Sequence, residues 1–137
     1  MRVPLMAPLA LATIALVSLT AVPAQADPAP VPACAGAPTP VLPGQDPADP
    51  ANQATLASAV ALINEKTDLA FTPVCIHTVS RQVVAGTATE FSLKGTENGS
   101  EGLDTLTVLE KPWLDYIRVT LRRGDSAITV ESGKPGL

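Results

Sequence analysis

Residues 49–84 read DPANQATLASAVALINEKTDLAFTPVCIHTVSRQVV, and the fold turns on a change of period inside this stretch. Asp49 offers a side-chain cap, and Pro50 suits the first helical position, where no backbone donor is needed. Leu56, Ala59, Val60 and Ile63 recur at i, i+3, i+4 and i+7, which makes one apolar stripe on a helix. Asn52, Gln53, Thr55 and Ser58 lie largely off that stripe. From Phe71 the period falls to two. Residues 71–84 are β-branched, with Pro73 near the start and Gly86 just beyond the end, and read as a long strand.

Downstream, residues 87–94 and 103–110 read as further strands, separated by a turn over 95–102 that is rich in Gly, Asn and Ser. Residues 116–122 alternate cleanly, with Ile117, Val119 and Leu121 on one face and Tyr116, Arg118, Thr120 and Arg122 on the other. Gly124-Asp125 turns the chain into a short last strand holding Ile128 and Val130. The pattern predicts an α+β fold, one N-terminal helix across a four- to five-stranded antiparallel β-sheet. The 137 residues contain four aromatics, Phe71, Phe91, Trp113 and Tyr116. An aliphatic core is expected, with Trp113 on a loop tip.

Upstream of the helix the composition changes. Residues 1–26 read as a secretory signal peptide: Arg2, then an uncharged apolar run from Leu5 to Val22, then Ala24-Gln25-Ala26 as the cleavage pattern, with Asp27 starting the mature chain. The competing reading is an uncleaved membrane anchor. Eight of the 24 residues from 27 to 50 are proline, which favours an extended, solvated arm over a packed core. The folded domain is then 51–131, with a tail at 132–137. About 80 residues make a marginal core without help. Cys34 and Cys75 are an even pair in a chain read as secreted, which points to one disulfide closing a 41-residue separation. Two free thiols and intermolecular pairing are the alternatives. Loop entropy values such a closure at about 4 kcal/mol.

Composition also narrows function. Charged residues are 16%, the net charge is −4, and signal cleavage would take it to −5 by removing Arg2. With no basic cluster and few aromatics, nucleic acid is not an expected partner. One histidine and two cysteines leave few groups for a metal site or a nucleophile–base pair, so an enzyme is not expected. His77 lies inside a strand with no acid or nucleophile beside it and reads as a surface or edge residue.

The functional signal lies in two turns. The first reads Gln82-Val83-Val84-Ala85-Gly86, and the second contains Pro112-Trp113-Leu114. These turns flank the second and third strands of a meander, so both emerge at one end of the sheet. Large apolar groups at hairpin tips have no core-packing rationale and more often mark a contact surface. Here the sequence resembles the cystatin family of papain-like cysteine protease inhibitors, through Gln-Val-Val-Ala-Gly, Pro-Trp, the flanking Phe71-Thr-Pro-Val74 and Glu110-Lys-Pro-Trp-Leu114, and a glycine in the N-terminal arm. The likeness covers residues 44–122.

That resemblance implies a cystatin-like fold and a wedge that fills the protease's cleft reversibly, without catalysis. Carried over, the wedge comprises Gln82, Val83, Val84, Ala85 and Gly86 from the first loop and Pro112 and Trp113 from the second. The third member is Gly44 with Val41 and Leu42 before it, Gly36 being the other candidate glycine. The implied protein is secreted, monomeric, free of the membrane after signal cleavage and without cofactor. Three departures stand out: no cysteine follows Cys75, the aromatic expected soon after the first loop is delayed to Phe91, and the tail from Gly124 is atypical.

Three further motifs carry ordinary alternatives. Asn98-Gly99-Ser100 is a glycosylation sequon and also an ordinary Asn-Gly turn. Arg123-Gly124-Asp125 matches the tripeptide read by integrins, but Gly-Asp equally suits a hairpin. It defines the alternative function, a cystatin-fold binding or adhesion protein without protease inhibition. Asn64 near the helix end resembles the asparagine by which some cystatins inhibit legumains, without the surrounding motif.

Overall fold

The computed structural model describes residues 29–133, so the expected signal segment and the end of the tail lie outside the described residues. The helix α1 spans Pro50–Lys66, with Asp49 as N-cap accepting from the Asn52 amide at 3.3 Å. Its end is fixed by side chains. The Thr67 hydroxyl donates to the Ile63 carbonyl at 2.7 Å. The Asn64 amide brackets Phe71, donating to its carbonyl at 2.9 Å and accepting from its N–H at 2.7 Å. Asn64 therefore has a structural task, steering the chain from helix into sheet.

Five strands follow: β1 (Thr72–Val84), β2 (Gly86–Glu97), β3 (Ser100–Lys111), β4 (Tyr116–Arg123) and β5 (Ser126–Ser132). They pair antiparallel in the order β1-β2-β3-β4-β5, a simple meander. The register aligns apolar residues across the sheet: Val79 opposite Phe91, Phe91 opposite Leu106, Leu106 opposite Leu121 and Leu121 opposite Ile128. Leu56, Ala59, Leu62 and Ile63 of α1 join them in one core. The molecule is thus an α+β arrangement, one helix packed on a five-stranded antiparallel sheet.

Three expectations need correction. The core is not purely aliphatic, because Phe71 and Phe91 are among its largest fully buried side chains. The helix buries Asn52, Thr55 and Leu62 along with Leu56, Ala59 and Ile63, while Val60 of the expected stripe is only half-buried. The turn over 95–102 shrinks to Asn98-Gly99, whose φ values of 53° and 83° suit the two-residue hairpin turn with positive φ at both positions. Gly95 and Gly102 are a cross-strand pair inside the ladder. A Cβ on Gly95 would lie 2.7 Å from the Phe71 ring, and one on Gly102 2.9 Å from the Arg123 guanidinium. These glycines make room for side chains rather than bend the chain.

The proline-rich arm is tied down. Ala33 bridges parallel to Ile76, with the Cys34 N–H donating to the Ile76 carbonyl and the Ile76 N–H to the Pro32 carbonyl, each at 2.8 Å. Cys34 and Cys75 form a disulfide at this point. Gln53 holds the strand of arm above it, donating to the carbonyls of Val31 at 2.8 Å and Pro47 at 2.7 Å and accepting from the Val31 N–H at 2.9 Å.

Candidate functional site

The hairpin β1–β2 turns at Ala85, and β3 passes to β4 through a 3-10 turn at Pro112–Leu114. In a meander these two connections share an end of the sheet, and the ends of β2 and β3 beside them are in close contact. Gly86 has φ of 117°, and a Cβ there would stand 2.4 Å from the Glu110 carbonyl oxygen and 3.0 Å from Lys111 Cγ. Glycine alone lets β2 start this close to the end of β3. Gly86 is therefore buried, and it faces β3 rather than solvent.

Its neighbours face outward. Val83 is 85% exposed, Val84 46% and Trp113 65%, and Gln82, Ala85 and Pro112 are exposed as well. The second loop is held open by Asp115, whose left-handed φ of 52° closes the turn with its N–H donating to the Pro112 carbonyl at 3.1 Å. Below it, the Tyr116 hydroxyl donates to the Glu131 carboxylate at 2.6 Å, which raises the phenol above its ordinary pKa. Lys111 lies 5.9 Å from the centroid of the same ring.

The arm reaches the same end. Pro43–Gln45 form a 3-10 turn closed by the Gln45 N–H donating to the Leu42 carbonyl at 2.9 Å. The Cβ position of Gly44 lies 3.7 Å from Arg81 Cβ, an ordinary contact that seats the arm against β1 just before Gln82. Val41 and Leu42 precede it, 86% and 59% exposed. Gly36 lies elsewhere, two residues past Cys34. The disulfide partner Cys75 is ten residues before Ala85, about 33 Å along an extended strand. Of the two candidate glycines, Gly44 is the one packed against β1 next to the first loop, whereas Gly36 stands in open space.

Sequence reading missed Asn52, Thr55 and Arg81, which lie beneath this edge. The Asn52 side chain donates to the carbonyls of Gly44 at 3.3 Å and Asp46 at 2.9 Å and accepts from Arg81 Nη2. The Thr55 hydroxyl donates to Glu110 Oε1 at 3.3 Å. Position relative to the stripe was the available signal: Asn52 stands four residues before Leu56, hence on its face.

The remaining motifs are placed differently. The Arg123 guanidinium makes a two-point pair with Asp104 at 2.8 and 2.9 Å and donates to the carbonyls of Gly95 at 3.0 Å and Ser100 at 2.9 Å. The hydrogen bond to Asp104 holds its pKa above the ordinary value. Asn98 is exposed at its turn, with its N–H donating to the Leu69 carbonyl at 2.7 Å. A recess of about 490 Å³ lies between the arm and the start of α1 and is lined mainly by prolines and alanines, with no residue of the two loops in its lining. Among the described residues no cluster of three His, Cys, Asp or Glu could hold a metal ion. Comparison with family models, with curated proteins and with solved structures finds no match to this chain.

Proposed function

We propose that the chain is a secreted, monomeric, reversible inhibitor of papain-like cysteine proteases with a cystatin-like fold. One observation carries the reading: exposed Val83-Val84-Ala85 and Pro112-Trp113 share one end of the sheet, and exposed Val41-Leu42 precede Gly44, which packs against β1 at Arg81, one residue before Gln82. They form a ridge without a nucleophile or an acid at its tips, suited to occluding an apolar cleft rather than acting on a substrate. Burying such groups is worth roughly 25 cal/mol per Å² before the costs of association. Short hairpins and a pinned arm reduce those costs. The signal-like leader and the Cys34–Cys75 disulfide support secretion.

The adhesion alternative draws less support. Its arginine, Arg123, is occupied by Asp104 and two carbonyls, so presenting it to a receptor would leave the buried Asp104 carboxylate without its partner. The deciding experiment is titration of papain with the mature protein. Stoichiometric, dilution-reversible loss of activity is expected. Full protease activity at micromolar protein would sink the proposal.

A further inference from the structure

The three segments of the ridge come from distant parts of the sequence, and the first two turns of α1 touch the support of each. Asn52, fully buried, donates both protons of its side-chain amide to the arm, at the carbonyls of Gly44 and Asp46. Its oxygen accepts from Arg81, the residue before Gln82 in the strand that feeds the first loop. Three residues on, Thr55 donates to Glu110, which precedes Lys111 and the Pro112 turn. The adjoining Gln53 holds the arm at Val31 and Pro47. Every donor and acceptor of the Asn52 amide is thus spent on fixing the arm against β1.

From this geometry we infer that Asn52 is a positioning residue of the binding ridge. It sets Val41, Leu42 and Gly44 beside the first loop before any partner arrives, so that docking does not have to order the arm. This inference rests on the inhibitory reading and adds a residue that never touches the protease. A buried amide with both donors and its acceptor matched is costly to replace, because any shorter side chain leaves backbone carbonyls and a guanidinium unpaired. The arm has little else to hold residues 41–46, since the disulfide and the Ala33 bridge act further up the chain.

Two measurements on the full chain test it. In the free protein, Asn52→Ala should speed amide exchange across residues 41–46 without a comparable change at Ile63, Val79 and Val119 in the core. Against the protease, Asn52→Ala should raise the inhibition constant roughly tenfold. The decisive part is a cycle with V41A/L42A, substitutions at exposed positions. Their penalty should shrink several-fold once Asn52 is replaced, because a loose arm no longer delivers those side chains. A merely structural role would leave the two effects additive. Asn52→Asp guards against misfolding of the alanine variant: it keeps the volume and the acceptor for Arg81 but loses both donated bonds, and should behave like Asn52→Ala in the cycle. If the wild-type chain inhibits and the cycle is additive, the positioning role is overturned and the inhibitory reading stands. If the wild-type chain fails to inhibit, the inhibitory reading falls first.

Discussion

Trp113 is the residue on which the proposed contact depends most. It is large and mostly exposed, and no core neighbour depends on it. Central aromatic anchors of interfaces often cost 2 kcal/mol or more on truncation. Trp113→Ala should therefore weaken inhibition by roughly 30-fold, while the melting temperature stays put. Val83→Asp with Val84→Asp should weaken it further, by placing charge in an apolar cleft. Unchanged potency in both variants would show that the ridge is wrongly located. Glu97 allows a separate test at the opposite end of the sheet. Burial raises its pKa above the usual 4.5, against the lowering pull of Arg123, with a further raising contribution from Asp104. A carboxyl raised in the folded state binds its proton more tightly there than in the unfolded chain. Its ionisation therefore disfavours folding at neutral pH, and that penalty fades as pH falls toward the unfolded value. Glu97→Gln should stabilise the protein at pH 7, with the gain vanishing below about pH 4 in denaturant titrations. A gain that persists in acid would assign the effect to packing.

At the scale of elements, Gly95 and Gly99 look alike in the sequence, both in a run of turn-forming residues, yet they do different things. Gly99 sits in open space with φ of 83°. Gly95 lies in a strand beneath the Phe71 ring and beside the Asp104 carboxylate. Gly99→Ala should cost about 1 kcal/mol, the strain of a left-handed residue. Gly95→Ala should cost about 1–3 kcal/mol through overpacking, although strand propensity alone favours alanine. Chemical denaturation of the two variants checks the order, and a neutral Gly95→Ala would mean that the ring is not seated there. The pair also shows what was legible in the chain. The 3.6-to-2 change of period at Phe71 located the helix and every strand, because burial on one face leaves a periodic trace. Glycine leaves no such trace, and its reason here is a side chain 24 residues upstream. Spacing from Leu56 put Asn52 on the buried face, but its partners and that of Arg81 were illegible, because the fold alone brings the arm carbonyls, the amide and the guanidinium together. The loop residues were legible because exposed valine and tryptophan at strand ends contradict what solvent alone would favour.

Over the whole molecule, the arm is the part that a small core could least hold by itself. Its prolines supply no backbone donors, and among the described residues it is tied by one bridge, the two amide side chains of Asn52 and Gln53, the Cys34–Cys75 bond and the packing of Val31 and Gly44. That bond closes a 41-residue separation that contains all of α1, so it restricts the unfolded chain across the helix as well as the arm. Loop entropy assigns it about 4 kcal/mol, a large fraction of the 5–15 kcal/mol typical of a whole domain. For a domain near 100 residues, each kcal/mol corresponds to about 4–8 °C. A Cys34→Ser/Cys75→Ser variant should therefore melt at least about 15 °C lower than the oxidised protein and still show a sheet-rich circular dichroism spectrum, because the backbone ladder of β1–β5 is closed without the bond. Its inhibition should weaken less than its stability, since Asn52 and Gln53 remain to hold residues 41–47 in the folded fraction. A melting temperature within a few degrees of the oxidised protein would mean that the unfolded chain is already compact around this loop, which would remove the entropic argument for the staple.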